Sequence, residues 1–291
     1  FGNHTWNIKE KLIWKPTKRL EMTAKTSYFF RERYASQDSH DRYRDLTASL
    51  KGVYKLTKAD NFELTYLFDE YDKSDLNLQT RKDIRDYNNT QNSVRAMYNH
   101  TFAGIGTLTA GADYMRDYLM SYQFEGQSRV QHSADAFVQA DWTLSPHWEI
   151  LGAVRYDHFS QGQHEHLTSK VSARYRQGAF TYRAGYGQGF RAPSLKELYM
   201  HYPINGLFVL RGNENLRPER SDNFHASVDW HRHRCLLTAA FGYNLVRQRI
   251  TTAPPSQERE ASSGLPYIDY INLPRLHAVS AQLSAQNSWT L

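Results

Sequence analysis

This sequence predicts an all-β fold, and within that class a transmembrane antiparallel β-barrel, on three observations. Apolar and polar residues alternate with a period of two through nearly the whole chain. Short connections alternate with longer polar ones, and aromatic residues recur at one end of successive strands. A sheet with one greasy and one wet face has these properties when it meets lipid outside and water inside.

The alternation predicts about fourteen strands, at 3–15, 18–34, 42–56, 61–74, 90–102, 106–124, 128–144, 147–160, 166–177, 179–190, 221–231, 235–251, 266–273 and 277–290. In the third, Leu46, Ala48, Leu50, Gly52 and Tyr54 face away from Asp45, Thr47, Ser49 and Lys51. The fourth repeats this with Phe62, Leu64, Tyr66 and Phe68 against Glu63, Thr65 and Asp69. Val130, Ala134, Ala136, Val138, Ala140 and Trp142 oppose Gln131, Ser133, Asp135, Gln139 and Asp141 in the seventh. Trp148, Ile150, Gly152, Val154 and Tyr156 then oppose Glu149, Arg155 and Asp157. A helix would need apolar residues at i, i+3 and i+4, which these segments do not supply.

Short turns are expected at 15–18, 57–60, 103–105, 145–146, 177–178, 232–234 and 274–276. Longer polar loops are expected at 35–41, 73–89, 125–127, 161–165, 191–220 and 252–265. Such sorting of connections by side belongs to outer-membrane barrels and has no cause in a soluble sandwich. Outward-phase aromatics flank the short turns: Trp14, Tyr54 and Phe62, Tyr98 and Phe102, Trp142 and Trp148, Tyr175 and Phe180, Trp230. Rings in this position place their apolar body in lipid and their polar tip at the headgroups. Many strands exceed the nine to eleven residues a bilayer needs, so they are expected to rise beyond it.

Composition excludes several alternatives. One cysteine, Cys235, permits no internal disulfide. No run of eighteen apolar residues exists for a membrane helix, which leaves a barrel open because its apolar band occupies alternate positions. The formal charge of +6 favours anionic partners, lipopolysaccharide or an anionic ligand among them. Basic residues are interspersed with 30 acids rather than gathered in a patch, so nucleic acid is not an expected partner. No phosphate loop, zinc spacing or nucleophile elbow points to an enzyme. The opening Phe1-Gly2-Asn3-His4 is neither an initiator Met nor a signal peptide and suggests a segment of a longer protein.

Two stretches carry more specific information. Gly185-Tyr186-Gly187-Gln188-Gly189-Phe190-Arg191-Ala192-Pro193 enters on a strand and breaks at the proline, which removes a ladder donor. Gly212-Asn213-Glu214-Asn215-Leu216-Arg217-Pro218-Glu219 has turn chemistry. The pair resembles the FRAP and NPNL boxes of TonB-dependent outer-membrane receptors, with Glu214 where the second box usually has Pro. The specific resemblance covers roughly 160–230, and the flanks share the barrel pattern. The segment 270–277 also resembles the turn between two late strands of that family.

The resemblance implies a 22-stranded barrel, of which about 14 strands are present, in the outer membrane of a Gram-negative bacterium. It implies a plug domain, absent from this chain, through which the TonB complex in the periplasm supplies energy. Residues 1–291 are then a partial barrel domain whose loop at about 191–220 receives ligand from outside. The implied cargo is haem first, otherwise a ferric siderophore or cobalamin, with no intrinsic cofactor. By the same resemblance His201 is the candidate axial ligand for haem iron. Tyr199 and Tyr202 could stack on a porphyrin or ligate ferric iron, and Arg191, Asn213 and Asn215 complete the candidate ligand-binding set. Imidazole suits iron as a neutral nitrogen donor. His164 and His166 on another loop, His231 and His233 in a basic turn, and His100, His147 and His277 near short turns read as solvated polar positions. The rivals are a passive porin-like channel and, from the enzymes, an outer-membrane hydrolase whose Ser/His/acid group cannot be assembled here.

Overall fold

The computed structural model describes residues 2–124, 128–161 and 165–288. Fifteen strands form one sheet: β1 (Asn3–Trp14), β2 (Leu20–Tyr34), β3 (Ser39–Lys55), β4 (Asp60–Asn77), β5 (Lys82–Phe102), β6 (Gly106–Ser121), β7 (Ser128–Thr143), β8 (Trp148–Phe159), β9 (Glu165–Gln177), β10 (Phe180–Arg191), β11 (His201–Ile204), β12 (Phe208–Arg211), β13 (Glu219–Arg232), β14 (Cys235–Thr252) and β15 (Tyr267–Asn287). A five-residue helix, α1 (Leu195–Tyr199), follows β10. From β1 to β10 and on through β13, β14 and β15, every pairing is antiparallel between neighbours in the wall, and β11 and β12 lie within the loop that leaves β10. Among the described residues β1 pairs only with β2, so the barrel-like wall has free edges at β1 and along most of β15.

The register keeps the expected faces aligned from strand to strand. Leu64 sits opposite Gly52 and Ala96, Ala136 opposite Ala112 and Tyr156, and Ala226 opposite Ala184 and Phe241, all on the apolar face. Because side chains alternate strictly, a slip of one residue would invert every strand. The polar face is concave and cross-linked: Lys51 pairs with Glu63 at 2.7 Å, Arg95 with Asp113 at 2.6 Å, and Arg155 with Asp135 and Asp157 at 2.8 Å each. The outer face leaves its large apolar side chains exposed, Leu64, Val138, Val171 and Phe241 among them. That exposure is what a lipid-covered surface requires.

Six short connections fall at one end, 15–19, 56–59, 103–105, 144–147, 178–179 and 233–234, as expected. The opposite end differs from expectation in an informative way. The loop expected at 73–89 is a four-residue tip at 78–81, because β4 and β5 continue upward as a tall hairpin. Likewise the loop expected at 35–41 shrinks to 35–38. Polar residues there alternate as regularly as apolar ones, but their alternation carries no hydropathy contrast. Strand height, more than loop length, distinguishes the two ends. The loop at 125–127 and His164 lie outside the described residues.

A second correction concerns the late turn at 274–276. β15 runs unbroken through Pro274, which falls with Gln248 between the paired positions Arg247–Arg275 and Arg249–Leu273. Gln248 takes φ 55°, and its carbonyl accepts from Asn272 Nδ2 at 2.7 Å, so the ladder absorbs a proline that has no N–H to donate. The two strands expected at 266–273 and 277–290 are therefore one. His277 consequently lies high on the outer face rather than at the short-turn end, where it contacts Tyr243 through Nδ1 at 2.8 Å.

A second aromatic row went unread in the sequence. Tyr114, Tyr186 and Tyr243 occupy the outer face near the tall end, each with its hydroxyl bound to a polar group on the next strand: His132, Asp222 and His277. Together with the lower row they bracket the apolar band on both sides.

Candidate ligand-binding site

The loop between β10 and β13 folds inward over the concave face rather than away from it. α1 starts at Ser194, whose hydroxyl accepts from the Glu197 amide, while Glu197 Oε2 accepts from the Ser194 amide at 2.8 Å. This reciprocal cap fixes a helix too short to persist alone. Leu195 and Met200 then bury against Leu119 and Phe124 at the top of β6, with Tyr87, Tyr199 and Tyr202 around them. Leu198 buries on the other side with Leu216 and Ile250. One short segment thus bridges the tops of β6 and β14 across the lumen.

The two sequence boxes are tied together at its base. Arg191 Nη1 donates to Glu197 Oε2 and Nη2 to Glu219 Oε1, both at 2.9 Å. Glu219 Oε1 also accepts from the Ile250 amide at 2.7 Å. The paired carboxylates hold the Arg191 guanidinium above its ordinary range, the Glu219 bond foremost. In the second box Asn213 Oδ1 accepts from the Asn215 amide at 2.9 Å, and Asn213 Nδ2 donates to the Tyr270 carbonyl at 3.0 Å. Asn272 closes the brace by accepting from the Arg217 amide and donating to the Arg217 carbonyl, 2.8 Å each. Gly212 permits the contact, since a Cβ there would stand 2.6 Å from the Leu198 carbonyl.

Beyond α1, β11 and β12 form a small hairpin, and β12 pairs in parallel with the first residues of β15. Arg211 stacks on the Tyr267 ring at 4.0 Å and bonds Asp269 and Glu258, which ties the loop at 253–266 to the same canopy. Those two carboxylates hold Arg211 above its ordinary range, Asp269 foremost.

The predicted residues separate into two groups. Arg191 and Asn213 lie in the brace and bond to the chain itself, and the Asn215 backbone completes the turn. Tyr199, His201 and Tyr202 lie in the canopy. The Tyr199 hydroxyl donates to Gln161 at 3.0 Å, with the Arg129 guanidinium 4.6 Å from its ring centroid. Burial raises the Tyr199 phenol. His201 Nε2 stands 3.3 Å from Glu260 Oε1, and Tyr202 meets Tyr122 edge-on at 5.5 Å. Below them, on the lumen face, Tyr71 and Tyr87 are 5.7 Å apart, with Lys196 of α1 4.6 Å above the Tyr87 ring. No cluster of three or more His, Cys, Asp or Glu able to hold a metal exists among the described residues.

The sequence contains Glu197, Glu219 and Asn272 in its singled-out stretches and a loop at 252–265, but its local pattern assigns none of them to the site. The Ser194-x-x-Glu197 spacing was a readable capping signal. The others act through partners 28 to 58 residues away, which no local pattern reveals.

A curved antiparallel wall, apolar outside and ion-paired inside, with its loops folded over the mouth, defines a membrane β-barrel with a partly covered entrance. The chain belongs to the family described as TonB dependent receptor-like, beta-barrel, whose model matches residues 3–286. The siderophore receptor PirA from Pseudomonas aeruginosa is similar in structure, with TM-score 0.81 and 17% identity over 98% of this chain and 53% of that one. The ferric enterobactin receptor of the same organism gives TM-score 0.78 and 14% identity over 97% and 48%. The copper transporter OprC gives 0.74 and 14% over 99% and 50%. This chain therefore spans about half the length of the solved structures it matches. No curated protein matches the sequence.

Proposed function

We propose that this chain is part of the barrel of a Gram-negative outer-membrane importer that takes up a metal chelate with energy from the TonB complex. The observation that carries this reading is the canopy: a loop welded to the wall by the Arg191 brace and laid across the lumen. In a passive porin-like channel a loop across the lumen would serve only to narrow the pore, whereas an importer also needs it to hold a bulky ligand. The tall end is then extracellular and the short-turn end periplasmic.

A ferric siderophore is the cargo class the site supports best. Tyr71, Tyr87, Tyr122 and Tyr202 offer flat faces, and Lys196 and Arg129 offer cations, to an anionic ring-bearing chelate. Haem is a second reading, carried by His201 between two canopy tyrosines, with its Nε2 on Glu260. Cobalamin has no separate support. The test uses the full-length receptor, with haemin and a ferric tris-catecholate as probes. Weaker tris-catecholate binding in Tyr202→Ala, with His201→Ala unaffected, selects the siderophore reading. A Soret shift with haemin that His201→Ala abolishes selects haem. Binding of neither probe, with free permeation of small sugars, returns the passive channel.

A further inference from the structure

The two ends of the wall differ in charge. The six connections at the short-turn end carry Lys15, Lys18, Arg19, Lys58 and Arg234, and no Asp or Glu. At the tall end the connections carry both signs, with Asp38, Arg81, Glu258, Arg259 and Glu260 among them. Lys55 and Arg176 extend the basic set onto the adjoining strand ends, and all seven of these cations are exposed. Among the described residues only Lys15 has a carboxylate within salt-bridge distance, Glu21 at 2.8 Å. Asp60, beside the second turn, is taken by His100 Nδ1 and the Tyr98 hydroxyl, 2.5 Å each. Within the lumen, by contrast, Arg95, Arg155 and Arg183 all have carboxylate partners. Free positive charge is a property of this end, and such a surface calls for an anionic partner.

Position narrows the partner. Thr17 Oγ1 accepts from the Arg19 and Leu20 amides at 3.2 and 3.0 Å, and Thr57 Oγ1 from the Ala59 and Asp60 amides at 3.0 Å each. Each threonine thereby fixes the lysine that follows it, Lys18 or Lys58, in a tight turn. Trp14, Tyr54 and Phe62 lie in the strands just before and after these turns, so the lysines stand beyond the aromatic row, in water. Lys55 shares the phase of Lys51 and points to the lumen side. There it joins Lys15, Lys18 and Arg19 around a recess of about 600 Å³. A lipid headgroup lies level with the aromatic row on the outer face, away from both the turns and the recess.

The charges are also spread along the rim. Lys18 and Lys58 occupy consecutive short turns, while Arg176 and Arg234 belong to β9–β10 and β13–β14, farther round the wall. One compact anion would not reach them all. An extended molecule that repeats its negative charge would.

We infer that the short-turn end docks on peptidoglycan, the carboxylate-bearing polymer beneath the outer membrane, with Lys18, Lys58 and Arg234 meeting the carboxylates of its peptide stems. An ammonium or guanidinium donates charge-assisted hydrogen bonds to such groups. The docking depends on the proposed function only for the orientation that turns this end to the periplasm; cargo and canopy play no part in it.

The experiment is co-sedimentation of the full-length receptor, in neutral detergent, with protein-free peptidoglycan sacculi. Parallel arms use sacculi whose carboxyls have been converted to amides, and vesicles of phosphatidylglycerol. The receptor should sediment with native sacculi only, and release as salt rises from about 0.05 to 0.5 M. Each cation removed should weaken binding about threefold, the scale of an exposed ion pair. Lys18→Gln/Lys58→Gln/Arg234→Gln should then lose about 30-fold, while Lys18→Arg/Lys58→Arg keeps its binding. Heat-modifiable electrophoretic mobility checks that each variant is a folded barrel. Equal sedimentation with amidated sacculi overturns the inference, as does undiminished binding by the triple variant. Vesicles capturing the receptor as well as sacculi do would reduce the rim to a plain polyanion patch and also overturn it. Orientation is tested apart, by a tag after Lys58 on intact cells. Labelling there overturns the orientation and the docking together, whereas failed sedimentation overturns the docking alone.

Discussion

Arg191 holds both sequence boxes. Its two nitrogens reach Glu197 and Glu219, and Glu219 passes the connection to β14 through the Ile250 amide. With its side chain 44% exposed, solvent screens the pair, and removing it is expected to cost about 1 kcal/mol rather than the several of a fully buried ion pair. In Arg191→Ala the Ile250 amide should therefore exchange about fivefold faster, with little change across β3–β8. Equal acceleration everywhere would mean a general loss of stability instead. The pH dependence has a definite sign. The Arg191 bond, with the Ile250 amide adding to it, lowers the Glu219 carboxyl below its ordinary 4.5, against burial. A carboxyl depressed in the folded state contributes stability fully above 4.5, and the contribution disappears as pH falls through the depressed value. Protection at Ile250 should hold from neutral pH to about 4.5 and decline below it. In Glu219→Gln that acid step should be missing.

At the scale of elements, the canopy depends on a close backbone approach at Gly212. Gly212→Val places methyl groups into the Leu198 carbonyl, and overpacking of this kind costs about 1–3 kcal/mol. The hairpin of β11 and β12 should lift from Phe124 and Gln123 while the wall remains. Protease sensitivity should appear at 192–218, with unchanged heat-modifiable mobility; a variant lost from the membrane would place Gly212 in the wall's own stability. The wall strands could be read because their apolar alternation repeats over eight residues or more and needs only local information. The sequence divides β15 in two because a proline ordinarily ends a ladder, and only the partner strand shows how Gln248 accommodates it. The tops of β4 and β5 read as a loop in the sequence because Asp75, Asn77, Arg85 and Asn88 alternate without contrast in hydropathy. The brace is half legible: its boxes are visible, but the Arg191–Glu219 bond between them and the ties to Asn272 and Ile250 form only once the strands bring these residues together.

For the molecule as a whole, function rests on which face meets lipid and which end faces outward. Ala136 is on the apolar face and Gln139 on the ion-paired one, in the same strand. Arginine at Ala136 should cost about 2–4 kcal/mol at mid-membrane, whereas Gln139→Arg should be tolerated. Urea midpoints of the full-length receptor in liposomes provide the comparison, and equal shifts would reverse the assigned faces. Orientation follows from strand height. The hairpin of β4 and β5, with the top of β3 beside it, carries charged residues on both faces above the apolar band: Arg42 and Arg44 of β3 pair with Asp83 of β5, and Lys73 of β4 pairs with Asp86 of β5. No lipid could cover such a surface, so this end must project into water, and its 78–81 tip is the place to probe it. A tag inserted after Gln79 should be reached by antibody on intact cells without unsettling the ladder beneath. The same tag after Lys58, between two strands that stop at the lower aromatic row, should be reached only once the outer membrane is permeabilised. Labelling of the Lys58 tag on intact cells, with the Gln79 tag silent, would turn the barrel over and set the canopy on the side from which no extracellular chelate arrives.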